Sequence, residues 1–157
     1  MPSLVTGASC PLFRLPTDNG GLLSLADLKG SPFVLFFYPK DDTPGCTTEA
    51  LAFKELKSEF DALGVKIIGL SKDSVASHQK YKEKHALPFA LLSDESTDFI
   101  QSCGAWGEKS LYGKKYMGTE RCTFLIDADG RAVRVWENVK VPGHAEEVLE
   151  ASRKLCA

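Results

Sequence analysis

Between residues 38 and 50 the chain reads YPKDDTPGCTTEA, directly after the apolar run FVLFF, and it sets one cysteine three residues after a threonine. Thr is a preferred N-cap and Pro is favoured at the first helical position. The spacing therefore predicts a helix with Thr43 as N-cap, Pro44 at N1, Gly45 at N2 and Cys46 at N3. In a capping box a carboxylate or amide stands at N3 and reaches back to a free backbone amide; here a thiol holds that place. A thiolate there gains from orphan amide donors and from the positive end of the helix dipole, by about 0.3 to 2 kcal/mol. Such settings turn a cysteine into a nucleophile. The bland alternative, a small buried hydrophobe, is the common fate of a free cysteine, but the polar and conformationally special flanks argue against it. A disulfide reductase would need a second cysteine three residues on, where this chain has Glu49. Dithiol exchange within the motif is excluded, and attack of one sulfur on an electrophile other than a disulfide is the chemistry that remains.

A thiol so placed needs a framework. Residues 31–38, SPFVLFFY, are almost unbroken in apolar and aromatic character, as in a strand covered on both faces. Phe53, Leu56, Phe60 and Leu63 then fall at spacings of three and four, one apolar stripe on a helix that starts at Thr43 and stops near Gly64. VKIIGLS (65–71) reads as a second buried strand, 73–85 as a polar helix, 88–92 as a short strand and 97–103 as a short helix. Residues 104–119, rich in Gly and Lys, read as a loop. CTFLIDADGRAVRVW (122–136) gives two strands joined at Asp129-Gly130, and 142–155 a closing helix. Near the N-terminus, Asn19-Gly20-Gly21 marks a hairpin. This order predicts an α/β protein of thioredoxin-like fold: a mixed central β-sheet flanked by helices, with an N-terminal β-hairpin extension.

The composition narrows the partners. With 157 residues, 43% hydrophobic and 25% charged, the expectation is one domain over residues 1–157 that buries well over half of its unfolded surface. A net charge of −2 with interspersed signs speaks against nucleic acid. There is no basic leader ahead of an apolar run, and no stretch of about 18 apolar residues, so no membrane is expected and the chain reads as soluble and cytoplasmic. Five cysteines, Cys10, Cys46, Cys103, Cys122 and Cys156, form no CxxC pair and read as thiols of a reducing compartment. His78 and His85, seven apart, lack further ligands at metal spacing, and no metal is expected.

The spacing Pro39-x-x-x-Thr43-x-x-Cys46 resembles the active-site signature of the peroxiredoxins, and YPKDDTPGCTTEA is similar to the form in their bacterioferritin comigratory protein or peroxiredoxin Q subgroup. Residues 118–127, GTERCTFLID, resemble that subgroup's second motif. The resemblance implies a thiol-dependent peroxidase without cofactor, reducing hydrogen peroxide and small organic hydroperoxides through a sulfenic acid on Cys46. It implies that Thr43 hydrogen-bonds the peroxide, that Pro39 shields the thiolate, that Arg121 holds thiolate and peroxide, and that Glu49 orients Arg121. It also implies a monomer recycled by thioredoxin, glutaredoxin or a low-molecular-weight thiol. Bland readings stand beside these: Thr43 as a cap alone, Arg121 as a surface charge at a strand end, and Lys40, Asp41 and Asp42 as a solvated loop. Trp106 and Tyr112 would either line an entrance for organic hydroperoxides or simply pack.

The chain departs from the subgroup at the second sulfur. Leu51 stands where many members carry a resolving cysteine, and the region of Tyr81 and Lys82, where others carry it, has none. That leaves an external thiol, an unusual internal partner or a second subunit. Cys122 neighbours Arg121 and should point to the opposite face of its strand, and Cys10 and Cys103 read as structural. Cys156, near a chain end expected to move, is the one internal candidate resolving cysteine. A reading of a different class uses the same thiol as a peroxide-sensing switch or holdase without turnover.

Overall fold

The structure, a computed structural model, describes residues 4–157; Met1, Pro2 and Ser3, part of the expected domain and of the segment read for a leader, lie outside the described residues. The run FVLFF forms strand β3 (Phe33–Phe37), and every one of its side chains is buried. It can be so apolar because it is sandwiched: β4 (Lys66–Ser71) pairs with it in parallel and β8 (Cys122–Ile126) antiparallel. With β5 (Ala90–Ser93) and β9 (Ala132–Trp136) outside these, the sheet order is β5-β4-β3-β8-β9. Ahead of it, β1 (Arg14–Pro16) and β2 (Leu22–Ser24) make the N-terminal hairpin.

Alternation along β3 splits the core in two. Phe33, Leu35 and Phe37 join one cluster, covered by α1 (Leu25–Leu28) and α5 (Asp98–Ser102). Val34 and Phe36 join the other. That cluster is covered by α2 (Pro44–Glu55), α3 (Lys57–Leu63), α4 (Val75–His85) and α6 (His144–Cys156). The stacked Phe36 and Phe53 rings, 4.8 Å apart, tie α2 to the sheet. Each such fully buried ring contributes about 1.5 to 3 kcal/mol of transfer free energy.

Two expectations need correction. The single helix over 43–64 is two, broken at Leu56 (φ −96°, ψ 3°) before the left-handed stop at Gly64 (φ 74°). The break has a packing reason. Seven residues of straight helix would separate Phe53 and Phe60 by about 10 Å along the axis, whereas their ring centroids are 6.1 Å apart and both are fully buried. The expected loop at 104–119 is a hairpin, β6 (Trp106–Leu111) against β7 (Lys114–Thr119). Tyr112 and Gly113 both take positive φ, as a two-residue I′ turn requires. Tyr112 is almost fully exposed at its tip, while Trp106 packs on the core with the Lys72 ammonium 5.7 Å from its ring centroid.

Candidate active site

The site forms where β3 ends and α2 begins. Thr43 has the extended backbone of an N-cap (φ −99°, ψ 154°) and Pro44 opens the helix, so Cys46 occupies N3. The Thr43 side chain does not cap: its hydroxyl donates to the Lys40 carbonyl at 2.9 Å. The one hydroxyl proton is thus spent on the loop and is not free for a ligand. The first-turn amides of Gly45 and Cys46 keep no side-chain partner, and the Thr43 oxygen retains lone pairs to accept a proton donor. Pro39 is half-buried beside the loop, and Cys46 is 2% exposed.

Arg121 reaches this sulfur from the neighbouring strand. Because Phe37 pairs with Cys122, the residue before β8 lies beside the residue after β3. The Arg121 Nη2 donates to Cys46 Sγ at 3.4 Å and its Nη1 to Glu49 Oε1 at 2.7 Å. Gly45 makes room for it, since a Cβ there would stand 3.3 Å from Nη2. Glu49 is 1% exposed and its second oxygen has no partner. Burial pushes its carboxyl up to about 7, against the opposing charge and hydrogen bond of Arg121. A planar guanidinium fixed between a thiol and a buried carboxyl is a preorganised donor for charge that moves off sulfur during attack.

The other thiols are kept away. Cys10, Cys103 and Cys122 belong to the cluster under the opposite face of the sheet. Burial pushes Cys10 and Cys122 up to about 12 and Cys103 higher still. Cys156 does not approach Cys46. It ends α6 with its Sγ 3.6 Å from the Leu63 carbonyl, beside Pro32 and Asp127, which flank the far ends of β3 and β8. The five residues of β3 alone put about 16 Å between those ends, beyond the roughly 7 Å limit for a disulfide. The terminus read as free to travel is instead the last turn of a helix packed on α3 and α2. Leu51 is part-exposed on α2, and the Tyr81 hydroxyl donates to Thr47 Oγ1 at 3.3 Å, so a phenol fills the position beside Cys46 that α4 offers.

One residue read as solvated is not. Lys40 and Asp42 are exposed, but Asp41 is 6% exposed and accepts from the Tyr38 hydroxyl at 2.6 Å, the Ser77 hydroxyl at 2.8 Å and His78 Nδ1 at 2.7 Å. The partners lie 36 and 37 residues away, beyond any local pattern; the one hint was Tyr38 itself, since a buried phenol needs a polar partner. His85 pairs with Asp42, and no metal-ligating cluster occurs among the described residues.

The Thr43 hydroxyl gives a prediction. Thr43→Val keeps the shape and removes the oxygen, so the second-order rate of peroxide consumption should fall about 10- to 100-fold, as for loss of one hydrogen bond that positions the peroxide. Thr43→Ser should retain most of it; equal rates in valine and wild-type proteins in stopped flow would refute the role.

Comparison with known proteins identifies the family and the fold. The model of the AhpC/TSA family matches residues 6–135. A Coxiella burnetii relative carrying the peroxiredoxin bcp name is 51% identical over 147 residues, 94% of this chain and 97% of that one. Peroxiredoxin Bcp of Bacillus subtilis is 46% identical over 149 residues, 95% of each chain. The structure of Xanthomonas campestris bacterioferritin comigratory protein, solved in a study of its alkyl peroxide reduction activity, superimposes with a TM-score of 0.88 at 41% identity over 92% of both chains. The chain thus belongs to the AhpC/TSA family and, within it, to the Bcp or peroxiredoxin Q group of peroxiredoxins.

Proposed function

We propose that this peroxiredoxin is a thiol-dependent peroxidase of the one-cysteine type, with Cys46 as nucleophile and an external thiol as reductant. The observation that carries the reading is the Arg121 guanidinium spanning Cys46 and Glu49 at the start of α2. The thiolate attacks the outer oxygen of a hydroperoxide. As the S–O bond forms, the O–O pair leaves on the inner oxygen, which takes a proton to become an alcohol, or water from hydrogen peroxide. Thr43 accepts from the hydroperoxide, Pro39 limits water at the sulfur, Arg121 holds the charge and Glu49 fixes Arg121. An external thiol then attacks the sulfenic sulfur, releasing water and leaving a mixed disulfide, and a second thiol restores Cys46.

The one-cysteine route is supported by Leu51, by Tyr81 and by the remoteness of Cys156. Of the substrate range, hydrogen peroxide and small alkyl hydroperoxides, the alkyl part follows the activity named for the Xanthomonas protein, and hydrogen peroxide follows the motif resemblance. Thioredoxin, glutaredoxin or a small thiol is the reductant, and the protein acts as a cytoplasmic monomer, one domain over 1–157. No helix among the described residues is long and apolar enough to cross a membrane.

Intact mass after one equivalent of hydrogen peroxide tests the route. Wild type and Cys156→Ser should both gain about 16 Da, reversibly with added thiol. A loss of about 2 Da in wild type alone would make Cys156 a resolving cysteine, and peroxide consumption that stops at one equivalent despite added thiol would favour a sensor.

A further inference from the structure

His78 is fully buried on α4, outside the machinery described so far. Its Nε2 lies 2.9 Å from the Leu92 carbonyl of β5, which can only accept, so that nitrogen carries a proton. Its Nδ1 lies 2.7 Å from Asp41 Oδ2, which already accepts from the Ser77 hydroxyl. A contact that short needs a second proton between ring and carboxylate. Without it two lone pairs would face each other in a buried site.

The bond is made at an informative place. Asp41 stands midway between Pro39 and Thr43, and Lys40, whose carbonyl takes the Thr43 hydroxyl, precedes it. The next residue, Asp42, has a left-handed backbone (φ 58°), unusual outside glycine. The Asp41 amide donates to Asp73 Oδ2 at 2.9 Å, and Asp73 also accepts from the Ser71 hydroxyl at 2.6 Å. Two carboxylates hold this loop from below, Asp41 on His78 and Asp73 on the Asp41 amide, while Asp42 pairs with Lys84 and His85 at the surface.

We propose that Asp41 and His78 are positioning residues for the reaction at Cys46: the proton they share pins the loop bearing Pro39 and Thr43 to β5 and α4. The proposal rests on the reading of Cys46 and Thr43 as reacting and substrate-binding groups. His78 touches neither, and acts through the loop.

The groups facing His78 are Asp41 from the loop, Asp73 from the turn before α4, the Leu92 carbonyl from β5, and Tyr38, whose ring centroid is 6.4 Å away. Burial alone would lower the imidazolium's pKa; the hydrogen bond and charge of Asp41, the Leu92 carbonyl and Asp73 outweigh it, and the net direction is upward. A histidine with a raised folded pKa keeps its stabilising proton in full below its ordinary value of about 6.5 and loses it as pH rises through the folded value. The anchor therefore weakens as pH rises through the folded value, which lies on the alkaline side of the ordinary one. Ionisation of the thiol drives the rate the other way, so the two together give a bell.

The test is the pH profile of single-turnover peroxide consumption by wild type and His78→Gln. Wild type should rise with thiol ionisation and then fall on an alkaline limb. His78→Gln should lose about tenfold or more at neutral pH, as expected when a positioned group is misplaced, and should lack the alkaline limb. Asp41→Asn, which removes the charge holding the imidazolium proton, should move the limb to lower pH and serves where the glutamine variant does not fold. An unchanged rate and profile in His78→Gln, or an unmoved limb in Asp41→Asn, overturns the positioning role. A wild type that consumes no peroxide would instead overturn the peroxidase reading on which it rests.

Discussion

Cys46→Ser should consume no measurable peroxide, a loss of more than about 10⁴-fold, because removal of a nucleophile takes the whole covalent route with it. The variant isolates chemistry from folding. Serine is close in size to cysteine, the position is 2% exposed at the start of a helix, and serine is well tolerated in a first turn. The fold and the Arg121–Glu49 pair should survive, with the guanidinium facing a hydroxyl instead of sulfur. What disappears is the sulfur proposed to form the S–O bond. Stopped-flow peroxide consumption with excess dithiol, beside a thermal melt, checks both halves. Substantial turnover in a folded serine variant would mean that another thiol carries the reaction.

Arg121→Ala should lower the second-order rate by about 10²- to 10³-fold, the usual loss on removing one preorganised donor to developing charge. Its effect on stability should be milder than for an ordinary buried ion pair, where loss of one partner costs about 3 to 5 kcal/mol. Glu49 explains why. Burial has already pushed its carboxyl up to about 7, so without the guanidinium it moves further up and stays protonated at neutral pH instead of remaining an orphaned charge. Arg121→Lys should fall between alanine and wild type, because an ammonium cannot repeat the planar fork that reaches Sγ and Oε1 together. Peroxide kinetics and melting curves on both variants separate these effects; a lysine variant with the wild-type rate would show that charge alone suffices.

The parts of the fold written in local patterns were legible in the sequence. An unbroken apolar run named β3, Asp129-Gly130 named the β8–β9 turn, and Thr43-Pro44 placed Cys46 at N3. Hidden features depend on partners distant in the chain or on unfavoured residues. The β6–β7 hairpin turns on Tyr112, which lacks the short polar side chain that usually eases a left-handed backbone, and β7 is largely exposed, with no buried face to set a period of two. The break at Leu56 follows from where Phe53 and Phe60 must pack, and a helical stripe looks the same with or without it. The contact of Arg121 with Cys46 spans 75 residues; the motifs announced both residues, while only the register of β3 on β8 brings them together. Asp41 was misread because an aspartate between Lys40 and Asp42 looks solvated until His78 and Tyr38 are seen around it.

The two-faced sheet makes the protein an insulator between its own sulfurs. Three thiols lie beneath it, Cys46 lies above it, and the fifth sits at the opposite pole. An oxidising equivalent delivered to Cys46 would meet, among the described residues, no second buried sulfur on its own face of the sheet. On the proposed one-cysteine route the molecule is a single-terminal store of oxidation, charged by a peroxide and discharged by a thiol that arrives from solution.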